Sequence, residues 1–237
     1  MTQASRPEPN MRWLAVAAGV AAGVYGAYVG LTWSRYGNPA RPDPEEDDPL
    51  LDHFMPSYEV VERHQVPVNA PAAVKLQVAR DIDLFNLPAV RAIFKGRELL
   101  LAGAPAARPP SRGMLAAVQE LGWVMLAEEP GREVVMGAVT KPWEPNPVFR
   151  PVPPDQFRAF AEPGYVKILW NLRADPTSRS SSIFRTETRA VATDASARSR
   201  FRVYWSLLSP GIYLIRWLSL GPLKAQAERS PRPRLAT

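Results

Sequence analysis

Side chains able to do acid–base or coordination chemistry are few in this chain. It has two histidines, His53 and His64, and no cysteine. Thiol chemistry and thiolate metal sites are therefore excluded, and with no His-Glu helix motif no metal centre is expected. Glu45, Glu46, Asp47 and Asp48 could in principle bind a cation, but a run of this kind reads as solvated charge. Proton transfer would fall to His64, Glu128 or Glu187, with Glu187 expected to face outward, and no catalytic residue is assigned. The sequence shows no Gly-rich phosphate loop, no serine-histidine-acid pattern and no paired-carboxylate motif, so no cofactor is expected either.

The elements that must position these groups begin with an apolar run. Residues 13–33, WLAVAAGVAAGVYGAYVGLTW, carry no charge and lie between Arg12 and Arg35, with a tryptophan at each end. As a helix this run spans a hydrocarbon core of about 30 Å. A cleaved signal peptide competes with a retained anchor, but the run is long and no A-x-A site closes it. Arg6 and Arg12 before the span are matched by Arg35 and Arg41 after it, so charge sets no orientation. Residues 1–12 form a tail. Residues 34–56 are rich in proline and acid and read as a spacer between membrane and domain.

The remainder, 57–227, has room for one core, and 228–237 reads as a disordered basic tail. Apolar alternation through Val60 and Val66 predicts a strand, and Asn69-Ala70-Pro71 opens a helix over 71–82 carrying Val74, Val78 and Ile82. A second helix over 88–102 and a short one over 114–121 follow. Two strands meet at Glu129-Pro130-Gly131-Arg132, a type II turn, with Trp123, Met125, Val134, Met136 and Ala138 on one face. Residues 140–164 are irregular. Next, YVKILWNL places Val166, Ile168, Trp170 and Leu172 on one side. In the last strand Phe184, Thr186, Thr188 and Ala190 share a face, and Arg185, Glu187 and Arg189 share the other, which is expected to point to water.

Asp194 is placed to cap a long final helix bearing Phe201, Tyr204, Trp205, Leu208, Ile212 and Ile215 at helical spacing. Ser209-Pro210-Gly211 is expected to kink or break it. Beyond that point, Leu214, Trp217 and Leu218 add apolar surface away from the core stripe. Residues 203–221 also resemble a marginal second span interrupted by Arg216, or a helix in the membrane interface, but a helix lying on the sheet fits best. The basic excess is late: Arg198, Arg200, Arg202, Arg216, Lys224, Arg229, Arg232 and Arg234 follow position 195 against Glu228 alone. Beside a membrane tether this suits anionic headgroups, and no nucleic-acid partner is expected because the arginines lack an aromatic platform on a strand face.

Strand, two helices, antiparallel meander, long C-terminal helix is an α+β order. Through VVERHQVPVNAP with its helix pair, GREVVMGAV, and TETRAVATD leading into ARSRFRVYW, residues 58–227 resemble the START-like helix-grip superfamily of polyketide cyclases, pollen-allergen-type proteins and lipid-transfer domains. The resemblance implies a curved antiparallel sheet wrapped on the helix and a cavity between them. Its lining would be Trp123, Met125, Met136, Ile168, Trp170, Phe184, Tyr204, Trp205 and Leu208, with Thr186 and Thr188 to orient a small hydrophobic ligand. The same residues serve equally as filled core. Three functions remain open: a membrane-anchored binding or transfer domain for a lipid or other apolar molecule, a polyketide-cyclase-like enzyme, or a membrane-tethered interaction module.

Overall fold

The computed structural model describes residues 11–83, 87–104 and 113–229. The N-terminal tail before Met11 with Arg6, most of the loop 104–113, and the basic tail after Arg229 with Arg232 and Arg234 lie outside the described residues.

Helix α1, Met11–Arg35, is long and apolar enough to cross a membrane, and none of its most apolar window is buried. The sheet is antiparallel with order β1-β5-β4-β3-β2, from β1 Val60–Val68, β2 Val124–Glu129, β3 Glu133–Thr140, β4 Val166–Pro176 and β5 Ser182–Ala192. Gly131 takes φ 75° in the β2–β3 turn, the left-handed position the Pro-Gly pair predicts. No sixth strand hides in residues 140–164, where Arg150 makes only an isolated bridge to Val139.

The sheet's inner face carries α3 Ala72–Asp81, α5 Met114–Glu120 and the long α7 Ala195–Arg229, and α4 Pro88–Leu100 packs on α7. Asp194 caps α7 by accepting from the backbone N–H groups of Ser196 and Ala197 at 2.7 and 3.0 Å. The expected break at Pro210 does not occur, and α7 runs on through Pro210 and Pro222. Its second half stays on the sheet, because Leu223 and Ala227 are buried with Leu76, Met114 and Trp170. This helix laid across an antiparallel sheet is the helix-grip fold.

The outer face departs from expectation. Arg185, Glu187 and Arg189 do face outward, yet Glu187 is 5 % and Arg189 1 % exposed. What covers them is the second half of the segment expected as a spacer. Asp48 caps the short helix α2, Pro49–Phe54, and Leu51, Phe54 and Met55 pack on Val135, Val139 and Leu169 together with Phe157 of α6, Pro154–Phe157. Val135, Val139 and Leu169 need a cover, and an acidic segment can supply it because the sheet offers arginines to pair with its carboxylates. Arg63 pairs with Glu46 at 3.9 Å, Arg185 with Glu45 at 3.6 Å, Arg173 with Asp48 at 3.5 Å, and Arg189 with Asp52.

Candidate functional site

Apolar side chains of the inner face fall into two clusters with a polar centre between them. One cluster gathers Val134, Met136, Trp170, Leu172 and Phe184 under α3 and α5, with Trp123 and Met125 packed against it. The other gathers Val60, Val166, Ala190, Phe201 and Trp205, with Ile168, Tyr204 and Ile212 at its edge. Period-two alternation along β1 brings Glu62 and His64 to this same face, opposite Thr188 and Thr186 of β5.

Arg216 reaches down into the centre from α7. Its guanidinium donates to the hydroxyls of Thr186 at 3.1 Å and Thr188 at 2.6 Å and lies 5.5 Å from the centre of the Trp170 ring. Glu62 is 2 % exposed, and neither of its carboxylate oxygens has a hydrogen-bond partner. His64 Nε2, likewise without a partner, stands 3.9 Å from a Glu62 oxygen, and the Tyr213 ring meets His64 edge-on at 5.3 Å. Burial pushes the Glu62 carboxyl above its ordinary value, opposed by His64 and by the charge of Arg216. Burial pulls the Arg216 guanidinium down, with Glu62 opposing. A carboxyl, an imidazole, a guanidinium and two hydroxyls thus converge in an apolar setting, able to hold a group that both donates and accepts hydrogen bonds.

Beneath this centre the sheet loosens. The β4–β5 ladder pairs Trp170 with Thr188 and resumes at Arg173 with Arg185. Between these points side chains take over: Asn171 Oδ1 accepts from the Glu187 N–H at 2.6 Å, and the Thr186 hydroxyl donates to the Asn171 carbonyl at 2.7 Å. A cavity of about 20 Å³ sits here on the outer side, among Glu46, Asp48, Arg63, Asn171, Arg173 and Glu187. On the outer side the Asn171 amide bridges two carboxylates, donating to Asp48 at 2.8 Å and to Glu133 at 2.7 Å. Burial, then the neighbouring Asp48, pushes the Glu133 carboxyl up to about 8. A second hollow of about 310 Å³, between Phe54, Arg158, Phe160 and Lys167, opens on the outer surface.

Of the residues the sequence proposes, Trp123, Met125, Met136, Trp170 and Phe184 enter the first cluster and Ile168, Tyr204 and Trp205 the second. Leu208 is half-buried on α7, and Thr186 and Thr188 are held by Arg216. Of the acid–base candidates, only His64 lies inside. Glu128 pairs with Arg80 at 2.7 Å on the rim, and Glu187 is locked between Arg63 and Arg189 on the outer face. Reading by residue type misses Glu62 and Arg216, although spacing marks both: Val60, Glu62, His64 and Val66 alternate, and Leu208, Ile212, Arg216 and Leu220 recur four apart. Among the described residues no group of three or more His, Asp or Glu is placed to hold a metal ion.

No protein-family model matches the chain, and no curated protein matches it. Several solved structures are similar to it. Norcoclaurine synthase from Thalictrum flavum, in complex with dopamine and hydroxybenzaldehyde, is 11 % identical over 73 % of this chain and 88 % of its own, with a TM-score of 0.35. A Thermobifida fusca protein solved by NMR is 16 % identical over 73 % of this chain and 95 % of its own, at 0.33. An aromatase/cyclase from a Streptomyces species is 13 % identical over 75 % of this chain and 98 % of its own, at 0.29. The assignment of a helix-grip fold follows from the strand order and the course of α7 in this chain.

Proposed function

We propose that the domain, anchored to a membrane through α1, binds a small amphipathic molecule on its inner face. The polar end of the ligand lies among Glu62, His64, Arg216, Thr186 and Thr188, and its apolar body lies along Trp170 and the underside of α7. The observation that supports this is Glu62. A buried carboxylate with neither oxygen bonded costs about 1–3 kcal/mol or more, and leucine in its place would serve a filled core better. Arg216 strengthens the reading, because it is the one charged residue in 203–223 and it is turned inward. The apolar residues of the site are packed against one another, so a ligand body enters by displacing α7, which lacks the backbone N–H at Pro210 and carries Gly211 beside it.

A second reading has its own observation. The 3.9 Å approach of His64 to Glu62 could pass a proton to or from a bound molecule, as a cyclase-like reaction requires.

The binding reading is tested by native mass spectrometry of the full chain purified from cells in detergent. A small-molecule adduct on the wild-type protein, lost in Arg216→Leu, is the expected result. No adduct on either protein would instead favour a filled core and an interaction module.

A further inference from the structure

Two apolar surfaces that are far apart in sequence meet on one side of the molecule. α1 exposes Val20 at 62 %, Val24 at 67 % and Trp33 at 42 %, and α7 exposes Val203 at 47 %, Leu207 at 43 %, Leu214 at 44 % and Trp217 at 67 %. The helices cross in contact. The Tyr25 hydroxyl donates to the Leu207 carbonyl at 2.6 Å, the Tyr28 and Ser209 hydroxyls bond at 2.8 Å, and Arg202 donates to the Trp33 carbonyl at 2.8 Å with its guanidinium 4.2 Å from the Trp33 ring. Residues 202–209 of α7 therefore run beside residues 25–33 of α1, the C-terminal part of the apolar run.

A stretch of α7 beside a membrane helix must be free of outward charge, and beyond Arg202, which is held at the end of the apolar run by the Trp33 carbonyl, this one is. Between Val203 and Leu223 the single charged residue is Arg216, and the inner-face threonines hold it. Charge returns at the borders, where Arg198 and Arg200 are exposed before the stretch and Lys224 follows it. An apolar helix face bounded by arginine and lysine, with tyrosine and tryptophan within it, suits the boundary between acyl chains and headgroups.

We propose that the outer face of α7 is a second membrane contact, seated in the leaflet that surrounds the C-terminal third of α1. The domain then lies against the bilayer, and the helix that roofs the inner site is itself in contact with lipid. This rests on α1 being membrane-inserted and is independent of the ligand site.

The absence of cysteine allows a direct test. Single cysteines are introduced into the full chain at Trp217 (Trp217→Cys) and Leu207 (Leu207→Cys). Val20→Cys on α1 serves as lipid reference and Asp155→Cys on α6 as aqueous reference. Each is spin-labelled and reconstituted in phosphatidylcholine–phosphatidylglycerol vesicles, and relaxation by oxygen is compared with relaxation by a water-soluble nickel chelate. Labels at 217 and 207 are expected to follow the one at 20: relaxed by oxygen, with loss of relaxation by the chelate. If 20 reports lipid while 217 and 207 follow 155, the α7 contact is wrong and the anchor stands. If 20 also follows 155, the anchor reading falls with it. Shielding of 217 from both reagents, with spin–spin broadening, would replace the leaflet by a second copy of the chain.

Discussion

At the scale of single residues, the inner site turns on a carboxylate that the fold does not satisfy. Glu62 sits where a strand alternating toward the core would carry an apolar side chain, and its neighbours offer charge without direct contact. Glu62→Leu removes a desolvated polar group, so it is expected to raise unfolding stability by about 1–3 kcal/mol, measured by denaturant titration in detergent. A fall of that size would mean that Glu62 instead holds the fold together. Thr186 and Thr188 were legible from alternation alone, since one face of TETRAVA is polar but uncharged. Glu62 and Arg216 follow the same arithmetic but are masked by residue type, because a charged side chain at a core-facing position reads first as surface.

At the scale of elements, the strap formed by residues 45–56 shows what local pattern leaves out. Its carboxylates find partners far away in sequence, on strands whose arginines read as solvent-facing only while the strap is thought to be free. Arg189 is the clearest case. It bonds Glu187 at 2.6 Å and the Met55 carbonyl at 2.9 Å, pairs with Asp52, and lies 4.6 Å from the Tyr58 ring centre. Arg189→Ala leaves Glu187 buried with one cation fewer, and a loss of about 3–5 kcal/mol is expected. Limited proteolysis of the same variant should show faster cleavage within 45–56, whereas unchanged cleavage would mean that α2 alone holds the strap. The hint available in the sequence was apolar: Val135, Val139 and Leu169 alternate outward and need a cover, but nothing local names residues 49–55 as that cover. Pro210 is the converse case. Its local signal is a break, yet packing on both sides of it keeps α7 continuous, with Trp205 before it in one cluster and Leu223 after it in the other.

For the whole molecule, buried acids set the dependence of stability on pH. Glu62 and Glu133 both have folded-state values raised by burial. Between the ordinary glutamate value and about 8, folded Glu133 keeps a proton that the unfolded state has released, and Glu62 acts in the same direction, so stability falls as pH rises through this window. The melting temperature is expected to be higher at about pH 5.5, just above the ordinary glutamate value, than at about pH 8. Glu133→Gln retains an acceptor for Asn171 and should flatten that slope, and an unaltered slope would assign it elsewhere. Asp194, whose carboxyl is lowered chiefly by the Ala197 and Gly164 N–H groups, acts in the opposite sense, and its contribution is lost only in acid below that window.

We propose that the inner face is built for a ligand at the expense of stability. The most direct measurement follows bound mass and unfolding together, on the same preparations of wild type and Glu62→Leu. Glu62→Leu is expected to unfold at higher denaturant and to carry no small-molecule adduct, while the wild type carries one. A variant that is less stable than the wild type and keeps the same adduct would contradict it.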